Sequence, residues 1–125
     1  MEYIINISED RTYIGVKLLG DFTSKEMMGC IVESRTLGNN EGIHNYLVDS
    51  TEARNVDSVT GQREFAYSDI KKIELAKATD IVACLVDPGD DSHNFVETVT
   101  NNAGLIFKLF TKIEDAIQFF EIRHK

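Results

Sequence analysis

The sequence has few of the residues that mark specialised protein classes. It contains no tryptophan, one proline and two cysteines among 125 residues. With one proline and eight glycines, it does not have the composition of a low-complexity chain. Cys30 and Cys84 both lie in apolar stretches, where reduced core thiols are more common than a disulfide or a pair of metal ligands. We therefore expect two buried free thiols and no disulfide framework.

Clustered positive charge and long hydrophobic runs are also missing. The 13 basic and 21 acidic side chains give a net charge of −8. The only local run of lysines, over 71–77, alternates with acidic residues up to Asp80 and predicts a solvated helix face. Because nucleic acids and anionic membranes are bound by clustered Lys and Arg, neither is an expected partner. No signal peptide or membrane-spanning run is recognisable, so the expected location is cytoplasmic.

Hydrophobic patterning indicates alternating strands and helices. Two stretches rich in β-branched residues, 3–7 and 12–19, flank a polar turn and predict an N-terminal hairpin. Thr23 and Glu26 have capping-box spacing and predict the start of a helix, which Gly38-Asn39-Asn40 is expected to end. Further strands are predicted over 43–49, 81–86 and 105–110, and further helices begin near Ser68, Ser92 and Thr111.

The resulting element order is ββαβαβαβα. Helices between apolar strands imply parallel pairing with right-handed crossovers. The predicted fold is therefore α/β, with a mixed five-stranded sheet flanked by four helices. The sheet begins with an antiparallel hairpin and continues as parallel βαβ units. A length of 125 residues fits one domain over 1–125.

The connection over 50–67 is longer than most links between a strand and a helix. Long connections at the carboxyl ends of strands often carry function in α/β proteins. An extra turn of helix near 62–66 is the alternative explanation of its length. Several polar residues also follow the predicted strands at this edge of the sheet. The predicted edge for binding a partner or ligand comprises Asp49, Asp57, Thr60, Asp87, Asp90, Asp91 and His93.

Carboxylates at one edge raise the alternative of a magnesium-dependent enzyme. Asp49, Asp87, Asp90 and Asp91, with Asp21 expected nearby, offer the oxygen ligands that Mg²⁺ prefers, and Lys112 is the nearest candidate for a receiver-like lysine. Turn formation and helix capping explain aspartate at these positions more simply. The sequence also contains no nucleophile elbow, phosphate loop or dinucleotide motif. We therefore expect a protein without enzymatic activity, metal or cofactor.

Four stretches carry a resemblance to a known family: Gly20-Asp21-Phe22-Thr23, Leu47-Val48-Asp49, Tyr67-Ser68-Asp69-Ile70, and the terminal 107–110 with 114–120. Together with the element order, they resemble the STAS superfamily, and within it the SpoIIAA-like group of small bacterial proteins. This superfamily includes the anti-sigma-factor antagonists, so the resemblance implies a regulatory module that binds a protein partner. Relatives near the Sec14 lipid-binding domains imply the alternative of a small apolar ligand, in a cavity under the 50–67 segment.

Anti-sigma-factor antagonists are switched by phosphorylation of a serine in an Asp-Ser-Ser-Gly-like motif after the third strand. The comparable stretch here is Asp57-Ser58-Val59-Thr60-Gly61, with Val59-Thr60 where the family has a single serine. The resemblance implies phosphorylation of Ser58, which adds nearly two negative charges. The alternative is that Asp57 and Gly61 only shape a turn.

Neighbouring apolar residues on two predicted helices raise the question of an exposed patch. Met28 follows Met27, and Phe119 precedes Phe120. Two adjacent residues of one helix cannot both face the core, so Met28 and Phe119 are predicted to be partly exposed. Such side chains form either a homodimer patch or the mouth of a lipid pocket. Ordinary scattered surface hydrophobicity is the simpler alternative.

Overall fold

A computed structural model of the chain describes residues 2–56, 58, 60–61, 79–102 and 105–123. One sheet contains five strands in chain order, and only its first pair is antiparallel. The predicted mixed sheet with an N-terminal hairpin is therefore confirmed. The strands are β1 (Glu2–Ile7), β2 (Ile14–Leu19), β3 (Asn45–Asp49), β4 (Ile81–Leu85) and β5 (Ile106–Phe110).

Within the described residues the structure has three helices where the sequence predicted four. They are α1 (Ser24–Glu41), α2 (Asn94–Asn102) and α3 (Ile113–Arg123). The helix predicted to begin near Ser68 lies outside the described residues, as does the extra turn considered for 62–66. Helix α1 connects β2 to β3 and α2 connects β4 to β5, as parallel neighbours require. Among the described residues, no helix is both long enough and apolar enough to span a bilayer.

The start of α1 follows its sequence signal. The Thr23 hydroxyl accepts a hydrogen bond from the Glu26 backbone N–H at 3.4 Å. The Glu26 carboxylate accepts one from the Thr23 backbone N–H at 2.9 Å. These reciprocal bonds satisfy two of the free donors at the helix N-terminus and confirm the predicted capping box.

The predicted end of α1, at Gly38-Asn39-Asn40, was too early. The helix continues to Glu41, and Gly42 caps it with a left-handed φ of 70°. Gly38 is buried, and a Cβ at this position would lie 2.6 Å from the Ile43 carbonyl oxygen and collide with the Tyr46 hydroxyl. Gly38 is therefore required for close packing of the helix on β3, and it does not terminate the helix.

The sheet packs helices on both faces. Ile14, Val16 and Leu18 of β2 point toward α1, where Cys30 is buried among them. Ala116 and Phe120 of α3 pack on the opposite face of the sheet. Cys30 and Cys84 are both buried and free, which confirms the expected core thiols. Met28 and Phe119 are half-buried, as predicted, and each packs against a core cluster.

Candidate functional site

Two loops at the carboxyl ends of β2 and β3 are hydrogen-bonded to each other. The Phe22 N–H donates to the Arg54 carbonyl at 3.0 Å, and the Val56 N–H donates to the Phe22 carbonyl at 2.8 Å. This is the pattern of a short parallel bridge, formed between Phe22 and Asn55. The described first part of the long connection after β3 is thus hydrogen-bonded to the loop after β2.

A third loop, after β4, is joined to the same structure. The Asn55 N–H donates to Ser92 Oγ at 3.1 Å, and Arg54 Nη1 lies 3.5 Å from Asp90 Oδ1. The sequence predicted a helix start near Ser92, but α2 begins at Asn94. The Ser92 hydroxyl instead links two loops. We use the name loop platform for residues 20–23, 50–56 and 87–93. The platform brings together most of the edge that the sequence predicted.

His93 lies beneath the loop platform, with 2% of its surface exposed. Its Nε2 lies 3.1 Å from the Ala53 carbonyl oxygen and must donate to it, because a carbonyl only accepts. The ring stacks on Phe22, with 5.8 Å between centroids. Burial lowers the pKa of His93 and outweighs the opposing effects of the Ala53 carbonyl and Asp90. Neutral His93 therefore supports the platform from inside and is not displayed on the exposed edge where the sequence placed it.

Asp90 is also part of the internal support. Its side chain is almost fully covered and accepts a hydrogen bond from the Ser92 N–H at 2.8 Å. Burial alone raises the pKa of the Asp90 carboxyl, but the hydrogen bonds from Ser92, together with the nearby Arg54 charge, lower it by more, so the net pKa is below the ordinary value. The carboxylate therefore stays charged and fixes the turn of the third loop.

The other predicted edge residues are placed nearer the surface. Asp49 is half-buried, and its carboxylate accepts bonds from the backbone and hydroxyl of Thr51 at 3.0 and 2.7 Å. Ser58 is exposed, and its hydroxyl accepts the Gly61 N–H at 3.0 Å. Asp87, Asp91 and Thr60 are exposed, and Asp57 lies outside the described residues.

The magnesium alternative gains no support from this placement. Across the part of the chain that the structure describes, no three His, Cys, Asp or Glu side chains are grouped in a way that would hold a metal ion. The Asp49 carboxylate is engaged by Thr51 in a local turn, as its position after a strand suggests. The aspartates considered for Mg²⁺, which all lie within the described residues, therefore form no group of three that would hold the ion.

A cavity of about 90 Å³ lies between the sheet and helices α1 and α2. Ser50 and Asn55, from the described part of the 50–67 segment, form part of its wall. The volume is well below the roughly 300 Å³ at which drug-sized sites begin. Most of the wall is apolar and includes Val16, Leu18, Phe22, Met27, Ile31, Val48, Val82, Val96 and Phe107.

The polar groups of the cavity wall are mostly paired. Arg35 Nη1 lies 2.6 Å from Asp80 Oδ2, and His44 Nδ1 lies 3.0 Å from Asp80 Oδ1. The Arg35 guanidinium also stacks over the Tyr46 ring at 4.1 Å. Asp80 is 2% exposed, so its predicted place on a solvated helix face was wrong. Thr100 is an exception, because its buried hydroxyl has no hydrogen-bond partner among the described residues.

One solved structure has the same overall arrangement. It is an uncharacterized protein of the DUF3478 family with a SpoIIAA-like fold, from Shewanella loihica PV-4. The two chains align with a TM-score of 0.54 and 22% identity, over 95% of this chain and 92% of that one. The chain thus has a SpoIIAA-like fold, as the resemblance implied. No protein-family model matches the chain, and no curated protein matches it.

The buried state of His93 predicts a specific pH dependence of stability. Since its pKa is lowered in the folded state, the unfolded chain binds more protons once the pH falls below about 6.5. Between pH 7.5 and 5.5, His93 is expected to remove up to about 1.4 kcal/mol of the free energy of unfolding. The variant His93→Gln lacks this contribution, so its free energy of unfolding should fall by less over the same pH interval. Urea denaturation at both pH values measures the difference, and equal losses in the two proteins contradict the prediction.

Proposed function

We propose that the chain is a STAS-like regulatory module, without enzymatic activity, that binds a protein partner in the cytoplasm through the loop platform. The observation that carries the proposal is the exposure of Val56 on a backbone held by two neighbouring loops. Val56 is 57% exposed, although its N–H is bonded to the Phe22 carbonyl. An apolar side chain surrounded by polar groups matches the arrangement of protein interfaces, which have an apolar centre and a polar rim.

The charged side chains of and beside the loop platform are more important for the choice of partner than for the stability of the fold. Glu52 lies 3.0 Å from Lys17, and Arg54 lies 3.5 Å from Asp90, with the long side chains exposed. An exposed ion pair such as Lys17–Glu52 contributes at most about 1 kcal/mol to stability. Across an interface, the same charges select partners of complementary charge. We therefore propose a partner with an apolar pocket for Val56 and polar groups around it, and neither nucleic acid nor a membrane.

The test compares two exposed valines. Val56 belongs to the loop platform, whereas Val32 lies on α1 and is 41% exposed. A photo-crosslinking residue at each position in the full chain, expressed in its own host, should capture a defined protein from position 56 only. With that protein purified, Val56→Glu is expected to weaken binding about tenfold or more, because a charge enters the apolar contact. Equal effects of Val56→Glu and Val32→Glu contradict the proposal.

Phosphorylation of Ser58 is the proposed switch of this contact. The exposed hydroxyl is accessible to a kinase and lies two residues from Val56. A hydrated phosphate next to an apolar contact must lose water when the partner binds, so it opposes association. Phosphoserine at position 58 is expected to weaken partner binding roughly tenfold, whereas Ser58→Ala should bind like the wild type. Titration calorimetry with the purified partner measures both, and unchanged or tighter binding of the phosphorylated chain refutes the switch.

The cavity favours a second candidate function, the binding of a small apolar molecule. Its wall combines a largely apolar surface with a few polar groups, as ligand sites commonly do. Native mass spectrometry of protein from its own host should then show a bound small molecule. The same spectrum reports whether two copies associate as a homodimer.

A further inference from the structure

We propose that the chain forms a homodimer in which β1 pairs antiparallel with β1 of a second copy, so that the two five-stranded sheets become one continuous sheet. The strand order places β1 and β5 at the two edges of the sheet. Because β1 is not part of the loop platform, the inference goes beyond the function proposed above. It is carried by the difference between the two edges and by the sequence of β1.

The edge formed by β5 is closed by side chains of α2. The Phe107 N–H donates to Asn101 Oδ1 at 3.0 Å, and Asn101 Nδ2 donates to the Phe107 carbonyl at 2.8 Å. The Asn101 amide thus occupies both backbone groups that a neighbouring strand would use. The next outward N–H, of Leu109, donates to Glu97 Oε2 at 2.7 Å. A further strand could not pair with β5 without displacing these bonds.

The edge formed by β1 is open among the described residues. The Ser8 N–H donates to the Tyr13 carbonyl at 2.9 Å, which fixes the alternation of the hydrogen bonds between β1 and β2. The even-numbered residues of β1 are therefore bonded to β2, and the backbone groups of Tyr3, Ile5 and Ile7 point outward. No backbone group of these three is hydrogen-bonded on that side to another described residue.

The sequence of β1 also lacks the features that protect exposed edges in natural proteins. It contains no proline and no lysine, and its pairing with β2 runs from Glu2 to Ile7 without a bulge. The closed β5 edge, in contrast, has Lys108 at its centre. An open edge without such protection is a template for a further strand.

The further strand belongs to a second copy because β1 is complementary to itself in one antiparallel register. With a two-fold axis at Ile5, the outward groups of Ile5 face those of its counterpart, and the groups of Tyr3 face those of Ile7. These three pairs make about six hydrogen bonds and place aromatic and β-branched side chains opposite each other, which is a favourable combination. Glu2, the only charged residue of β1, lies opposite Ser8. The net charge of −8 therefore places no like charges directly opposite each other across the paired strands.

Ile4 adds an apolar contact on the other face of the joined sheet. Its side chain is 55% exposed, although it lies in the middle of a strand. In the register centred on Ile5, it is diagonal to Ile4 of the second copy, a separation that long side chains can span. Pairing thus covers this exposed isoleucine.

The test begins with the wild-type full chain. Sedimentation equilibrium should give a mass that rises with concentration to twice that of one chain. Over the same range, hydrogen exchange of the Tyr3, Ile5 and Ile7 amides should slow by about tenfold or more, because these N–H groups are bonded only in the dimer. Exchange at Ile4 and Asn6 should change much less, since β2 binds their N–H groups in either state.

Two variants then locate the contact. Ile4→Lys places a lysine in the middle of the open edge and should raise the dissociation constant of the dimer about tenfold or more. Ile122→Lys is the matched control, because Ile122 is 62% exposed on α3, which packs on β4 and β5. This control should leave the dissociation constant unchanged.

Three results would overturn the inference. The first is a chain that stays monomeric up to about 1 mM. The second is a dimer whose Tyr3, Ile5 and Ile7 amides exchange as fast as in the monomer. The third is equal weakening of the dimer by Ile4→Lys and Ile122→Lys. The exchange measurement needs no variant, so it decides the matter even where Ile4→Lys does not fold.

Discussion

Replacement of Asp80 by alanine is expected to lower the free energy of unfolding by about 3–5 kcal/mol. The Asp80 carboxylate lies 2.6 Å from the buried Arg35 guanidinium and 3.0 Å from His44. Its removal leaves the guanidinium charge inside the protein without an ion-pair partner among the described residues, and the cost of a buried uncompensated charge is large. The stacking of Arg35 on Tyr46 holds the guanidinium in place, so it cannot turn to solvent without losing this contact.

Urea denaturation of the Asp80→Ala variant measures this loss. Two further variants identify its cause. Asp87→Ala removes an exposed aspartate and should change the free energy of unfolding by less than about 0.5 kcal/mol. The double variant Arg35→Met, Asp80→Leu removes both charges and should recover most of the loss, because apolar residues can replace a buried ion pair. A double variant as unstable as Asp80→Ala would show that the lost charge balance is not the cause.

The Arg35–Asp80 pair also shows why part of this structure could not be predicted from the sequence. Asp80 follows a run of alternating charged residues, and that local pattern is typical of a solvated helix face. Its partner Arg35 is 45 positions away along the chain. Periodicity describes neighbours within a helix or strand, and it contains no information about a charge on a distant element. The burial of Asp80 follows from the tertiary packing of α1 against the start of β4.

Features that depend on neighbouring residues were predicted well. The Thr23–Glu26 capping box spans four residues, and the apolar strands determine the order and direction of the sheet. The predicted edge also follows from topology, since parallel strands bring their carboxyl ends to one side. What the sequence did not show is which residues of that edge face inward. His93 is bonded to Ala53 across 40 positions, and this pairing decides its burial.

The exposure of Val56 and the unsatisfied Thr100 hydroxyl were missed for the same reason. A valine within a polar segment and a threonine within a helix are both unremarkable in sequence. The bridge between Phe22 and Asn55 fixes the backbone next to Val56, and the packing of α2 on the sheet buries Thr100. Both features therefore depend on contacts between distant parts of the chain.

Two glycines of α1 are expected to respond to alanine with opposite signs. A Cβ at Gly29 meets no atom within 4 Å, and the residue is exposed on the helix. Gly29→Ala should therefore stabilise the protein by about 0.5–1 kcal/mol, because alanine has less backbone entropy to lose on forming a helix.

Gly38→Ala should instead destabilise the protein by about 2–3 kcal/mol, although the helix propensity improves equally. The added Cβ would lie 2.6 Å from the Ile43 carbonyl oxygen and collide with the Tyr46 hydroxyl. The Ile43 oxygen cannot retreat easily, because the Ile43 N–H is bonded to the Gly38 carbonyl at 2.9 Å. Thermal and urea unfolding of both variants test the pair. A stabilising Gly38→Ala would contradict this prediction, because it would mean that the methyl group finds room between α1 and the Ile43 and Tyr46 atoms that face Gly38.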